Sequence, residues 1–157
     1  MTKACHPAPR AAAAGPRRTV ELDSTQALAL LSRASLGRIV FTQRALPAVR
    51  PVNHLVDNGE IIIRTHDSSP LITQAARHGS QGFVVAYQAD DIDPFSHLGW
   101  SVVATGYCRQ VTDPCDLLRY ERLLHPWSDR PMDCAVRIRP HLVTGIRLVD
   151  APPDAPH

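Results

Sequence analysis

Most apolar residues in this chain fall at the alternating or continuous spacing of strands, and three stretches carry a helical spacing instead. The first helical stretch is Asp23 to Ser35, with Leu28, Leu31 and Ser35 on one face and Leu30 beside them. Asp23 is a good N-cap, Gln26 stands three residues on as in a capping box, and Gly37 offers a stop. Arg38 to Arg44, RIVFTQR, reads as a strand, and Gln43 to Pro47 as the turn after it. The central stretch is Leu46 to Gln74, LPAVRPVNHLVDNGEIIIRTHDSSPLITQ. Its two apolar arms, Ala48–Val56 and Glu60–Thr65, flank Asp57-Asn58-Gly59, and Asn-Gly between apolar runs predicts a hairpin with a primed turn. The polar cluster His66 to Pro70 then opens a short helix over Ser69 to His78, with Leu71, Ile72 and Ala75 inward and Gly79 at its end.

Further along, Gly82 to Ala89 is a mostly apolar strand and Asp90 to Leu98 an acidic loop. Gly99 to Thr112 is a long strand that Gly106 is expected to interrupt with a bulge or barrel corner. Asp113 and Pro114 open the third helix, Pro114 to Leu124, whose expected inner stripe is Leu117, Leu118, Tyr120, Leu123 and Leu124. An irregular crossing, His125 to Pro131, carries Trp127. Cys134–Arg139 and Val143–Val149 are expected as the last two strands, joined by Pro140-His141. Six or seven strands that follow one another mostly through hairpins, with three helices at the edges, predict an antiparallel barrel rather than alternating βαβ units. Met1 to Arg18, rich in Ala, Pro and Arg, is expected to be a disordered tail, and residues 151–157 a second tail, leaving one domain over 19–150.

Composition narrows the function classes. At 157 residues the chain can bury about 70% of its extended surface without disulfide staples. A formal charge of +2 with scattered arginines, and 5% aromatics, argues against a nucleic-acid partner. None of the four cysteines forms a CxxC pair, and no secretory or membrane-spanning segment is visible, so the expected setting is the cytoplasm with reduced thiols. The eight histidines form no HxH or HxxxH pair, so no metal site is expected. Asp90, Asp91 and Asp93 lack the glycine and terminal Glu of a calcium loop. There is no GxSxG elbow, and Cys108 and Cys134 sit in apolar strands where inert thiols are the rule.

One cluster does suggest binding chemistry. Arg64, Thr65, Ser68 and Ser69 converge where a strand ends and a helix begins, a plausible anion cradle. Trp100 and Ser101 at the mouth of the long strand could supply a flat wall and a hydroxyl. On the segments LSRASLGRIVF, LPAVRPVNHLVDNGEIIIRT, HDSSPL and GWSVVATGYCRQVTD, residues Leu22 to Val149 resemble the pyridoxamine-phosphate-oxidase-like proteins. Within that family the chain is similar to the nitroimidazole-reductase-type subgroup.

The resemblance implies a mainly β fold, a six-stranded antiparallel split β-barrel with peripheral α-helices. It also implies a homodimer with two equivalent FMN sites at the subunit interface. Carried over, the flavin phosphate lies at Arg64, Thr65, Ser68 and Ser69, and the isoalloxazine along Pro51, Val52, Asn53 and His54. Trp100 and Ser101 would line the same pocket. The chain departs from the pattern at Pro70 and Leu71, where many flavin-binding members carry Lys or Arg. One missing charge-assisted contact, worth about 1.5–3 kcal/mol, corresponds to about one to two decades of FMN affinity. Residues specific for pyridoxal-phosphate substrates are not recognisable near the C-terminus. The implied function is an FMN-dependent oxidoreductase acting on a small molecule. The alternative is a non-catalytic module that binds flavin, a deazaflavin cofactor or another planar anion.

Overall fold

The three isoleucines at 61–63 place the strand they belong to between two cores. In the computed structural model, which describes residues 15–152, Ile61 and Ile63 face the main core and Ile62 a smaller one on the opposite side. A strand covered on both faces reads as a continuous apolar run. That strand, β5 (Glu60–Thr65), pairs on one side with the three-residue β4 (Leu55–Asp57) through the Asn58-Gly59 turn. Both turn residues have positive φ, 50° and 77°, as a primed turn requires.

Eight strands and three α-helices make up the described chain, two strands more than the expected six. In order they are β1 (Arg17–Leu22), α1 (Ser24–Arg33), β2 (Leu36–Gln43), β3 (Leu46–Asn53), β4, β5, α2 (Pro70–His78), β6 (Phe83–Ile92), β7 (Gly99–Gln110), α3 (Pro114–Leu123) and β8 (Cys134–Asp150). The sheet runs β3-β2-β6-β7-β8-β5-β4, every pairing is antiparallel, and β1 pairs with the outer half of β8. The two ends of that path, β3 and β4, are separated in sequence by His54 alone. The sheet must therefore curl back on itself, which gives a split barrel. α1 and α2 pack Leu31, Leu71 and Ala75 into its core. No described helix is long and apolar enough to cross a membrane.

Four local expectations are corrected. The expected first hairpin arm, Ala48–Val56, is two strands with different partners: β3 pairs with β2, and only Leu55–Asp57 pairs with β5. Gly37 does not end α1, which stops at Arg33; it lies in β2, where a Cβ would collide with the Tyr87 hydroxyl. Pro140 and His141 do not divide two strands. β8 runs 17 residues through them as a bulge, with Gly106 opposite Pro140 and Thr105 opposite Leu142. A bulge tolerates a proline that has no N–H to give the ladder. The acidic loop is shorter than expected, since Asp90 and Asp91 belong to β6. The expected tail over 1–18 lies outside the described residues as far as residue 14, and Arg17 and Arg18 open β1. The expected tail over 151–157 lies outside them from residue 153.

Candidate functional site

Four elements meet at one open groove of about 310 Å³: the start of β2, the end of β3, the end of β5 and the crossing between α3 and β8. β3 contributes Pro51, Val52 and Asn53, and β5 contributes Arg64. Leu36 and the crossing's Trp127 and Met132 make the rest mostly apolar. Trp127 is 67% exposed and Leu36 41% exposed, so large apolar surfaces face solvent across the groove. Pockets for flat small molecules are lined in this way, by apolar and aromatic groups with a few polar ones.

The crossing is held in place by side chains from the groove floor. Arg64 Nη1 donates to the Leu124 carbonyl at 3.0 Å, and Nη2 donates to the Met132 carbonyl. Asn53 Nδ2 donates to the His125 carbonyl at 2.8 Å. The helix before the crossing is itself anchored. Asp57 accepts from Arg119 at 2.7 Å and from the Tyr120 hydroxyl at 2.8 Å, and Arg137 bridges Glu60 and Asp116. The Arg119 hydrogen bond holds the Asp57 carboxyl below the usual carboxylate range, while burial and the bond to Asp57 push the Tyr120 phenol up to about 12.

The ten residues expected to bind a cofactor are distributed unequally. Pro51, Val52, Asn53 and Arg64 share the groove. His54 is buried, with Nε2 2.9 Å from the Leu31 carbonyl and Nδ1 2.5 Å from the Tyr87 hydroxyl. A carbonyl can only accept, so Nε2 carries the proton and Nδ1 accepts from Tyr87. Thr65 and Ser69 are also buried, and Ser69 Oγ caps α2 by accepting from the Ile72 amide at 3.3 Å. Pro70 has no N–H, so the first turn of α2 offers an anion little beyond the Leu71 amide. Ser68 opens instead onto a separate groove of about 250 Å³, where Arg44 of the β2–β3 turn and Arg77 of α2 also stand. Trp100 is a buried wall of a third groove, with Arg33, Asp90, Asp91 and Arg147, and this groove adjoins the first through Leu36. Ser101 faces the other side of the sheet, beside Glu21 and Ile146.

Other chemistries find little support. Burial pushes the Cys108 thiol up to about 12, as for an inert core cysteine. Among the described residues no cluster of His, Cys, Asp and Glu could hold a metal ion. Trp127 and Met132, both in the groove, were not among the expected binding residues. Trp127 lies outside any hydrophobic period, and its one signal in the chain is an aromatic between Pro126 and Pro131 in an otherwise irregular segment.

Residues 23–147 match the family model described as pyridoxamine 5'-phosphate oxidase. An uncharacterized protein of Mycobacterium tuberculosis is 49% identical over 140 residues, 89% of this chain and 92% of that one. Among solved structures, the FAD-binding protein of Mycobacterium smegmatis is 32% identical with a TM-score of 0.64, covering 82% of this chain and 97% of its own. A Corynebacterium glutamicum structure assigned to the same oxidase family is 28% identical with a TM-score of 0.70, covering 86% and 96%.

Proposed function

The chain belongs to the pyridoxamine 5'-phosphate oxidase family and has its split-barrel fold, and from that premise we propose that it binds a flavin nucleotide and works as a flavin-dependent oxidoreductase on a small molecule. The observation that carries this reading is the open groove of Leu36, Pro51–Asn53 and Trp127, mostly apolar with one exposed indole, a lining suited to an isoalloxazine ring. The FAD named for the Mycobacterium smegmatis relative supports a flavin as the occupant. FMN is the form that the sequence resemblance implies, and a deazaflavin cofactor is the alternative. The anionic tail would run toward the β5–α2 corner, where Ser68, Arg44 and Arg77 line one groove. When bound, a flavin supplies hydride or single-electron chemistry; the protein orients it and sets its electrostatics.

The functional unit we propose is a homodimer. Across the solvent face of the sheet, Val49, Val40, Ala86, Thr105 and Leu142 form one continuous cross-strand row over five strands. Val84 and Tyr107 make an adjacent pair in the next row. Val49, Val84 and Leu142 are about half exposed or more, so the face is apolar and open, as a subunit interface would be. The described cysteines are all free thiols, which supports work in the cytoplasm.

A second reading keeps the binding and drops the catalysis. Among the described residues no histidine or carboxylate lines the Leu36–Trp127 groove, which favours a carrier or sensor module. One experiment separates the readings. Purified protein is saturated with FMN, with FAD and with a deazaflavin cofactor, freed of unbound ligand, and scanned for visible absorption. Flavin bands retained near one per chain support the first reading, and turnover of a reduced nicotinamide with an artificial acceptor then decides for catalysis. Folded protein that retains none of the three sinks the first reading and leaves the second with another planar anion as its ligand.

A further inference from the structure

We propose that Trp127 is the stacking residue for the flavin ring, and that Arg64 and Asn53 act through it as positioning residues rather than as ligands of the phosphate. The inference rests on the flavin reading above and assigns roles within that site. An indole two-thirds exposed at the wall of an apolar groove packs little against its own chain. Its position is nonetheless fixed. Three side-chain donors on two strands of the barrel hold the carbonyls of Leu124, His125 and Met132, which bracket Trp127 on both sides.

Two of the five N–H groups of the Arg64 guanidinium are committed to these carbonyls. Holding two points of a loop eight residues apart makes Arg64 a clip. A clip fixes the angle of the wall without touching what lies against it. Ring stacking on an indole also quenches flavin emission by contact, so the wall has its own spectroscopic signature.

The test uses the full chain with riboflavin and FMN as probes. These ligands share the ring and differ by the phosphate. On wild-type protein, flavin emission is quenched on binding. Trp127→Phe keeps an aromatic wall, so affinity falls only about threefold while much of the emission returns. Trp127→Ala weakens both flavins by about tenfold, in keeping with the loss of one aromatic stack. Arg64→Met keeps the aliphatic stem and removes the donors. It weakens riboflavin and FMN by the same factor, restores part of the emission, and adds little on the Trp127→Ala background. A loss confined to FMN in Arg64→Met returns Arg64 to the phosphate and overturns its positioning role. Unchanged quenching and affinity in both Trp127 variants overturn the stacking role while leaving flavin binding intact. Wild-type protein that binds neither probe overturns the flavin reading and this inference together.

Discussion

A buried imidazole that donates through Nε2 to Leu31 and accepts at Nδ1 from Tyr87 is held neutral. Burial lowers the His54 pKa from its ordinary 6.5, the Leu31 carbonyl opposing this in part. Below about pH 6.5 the unfolded chain therefore binds a proton that the folded chain resists. The stability tied to His54 is full above that pH and is lost as pH falls toward the folded value. Urea unfolding at pH 7.5 and 5.5 is expected to show lower stability at the acid end, and His54→Gln to flatten that difference. An identical slope in the variant would place the acid sensitivity elsewhere. The same cluster dictates Gly37. Its missing Cβ leaves room for the Tyr87 hydroxyl, and the phenol cannot retreat without breaking its bond to His54. Gly37→Ala is expected to destabilise by about 1–3 kcal/mol, the range for overpacking a filled core, read from the denaturation midpoint.

Among the elements, the ones set by local chemistry were legible and the ones set by partners were not. The capping box of Asp23 and Gln26 forms as read, as do the Asn58-Gly59 turn and the β5 strand. Each depends on residues within a few positions of one another. The split of Ala48–Val56 into β3 and β4 was hidden, because it depends on β2 claiming the first part and β5 the second. The α3 stripe was misjudged for a related reason. Tyr120 and Leu124 are buried, but Leu118 and Leu123 remain exposed, since a salt-bridged hairpin end rather than a broad apolar face receives this helix. The candidate site was legible in part: the resemblance set Pro51–His54 along the ring and Arg64, Thr65, Ser68 and Ser69 at the phosphate, whereas the fold gathers Pro51–Asn53 and Arg64 at one groove and turns His54 and Ser69 inward. At this scale α3 is sensitive to its cap. Asp113 accepts from the amides of Cys115 and Asp116 at 2.8 and 3.1 Å. Asp113→Ala is expected to cost about 1 kcal/mol in urea unfolding with an unchanged m-value. A neutral result would mean that the Asp57 and Arg137 pairs alone hold the helix.

For the whole molecule, the sheet supplies both a rigid floor for the groove and an outer apolar face. A negative charge on that face should separate the subunits if it is the dimer interface. Leu142→Glu is expected to convert a dimer to a monomer in light scattering, with the far-ultraviolet spectrum unchanged; a dimer that persists would move the interface off this face. A crystal structure of the protein grown with saturating FMN tests whether the Leu36–Trp127 groove holds a flavin ring. Ring density is expected against Pro51, Val52 and Asn53, with the Trp127 indole stacked on it and the phosphate toward Ser68. Ring density bound elsewhere on the barrel, with this groove filled only by solvent, would contradict that placement.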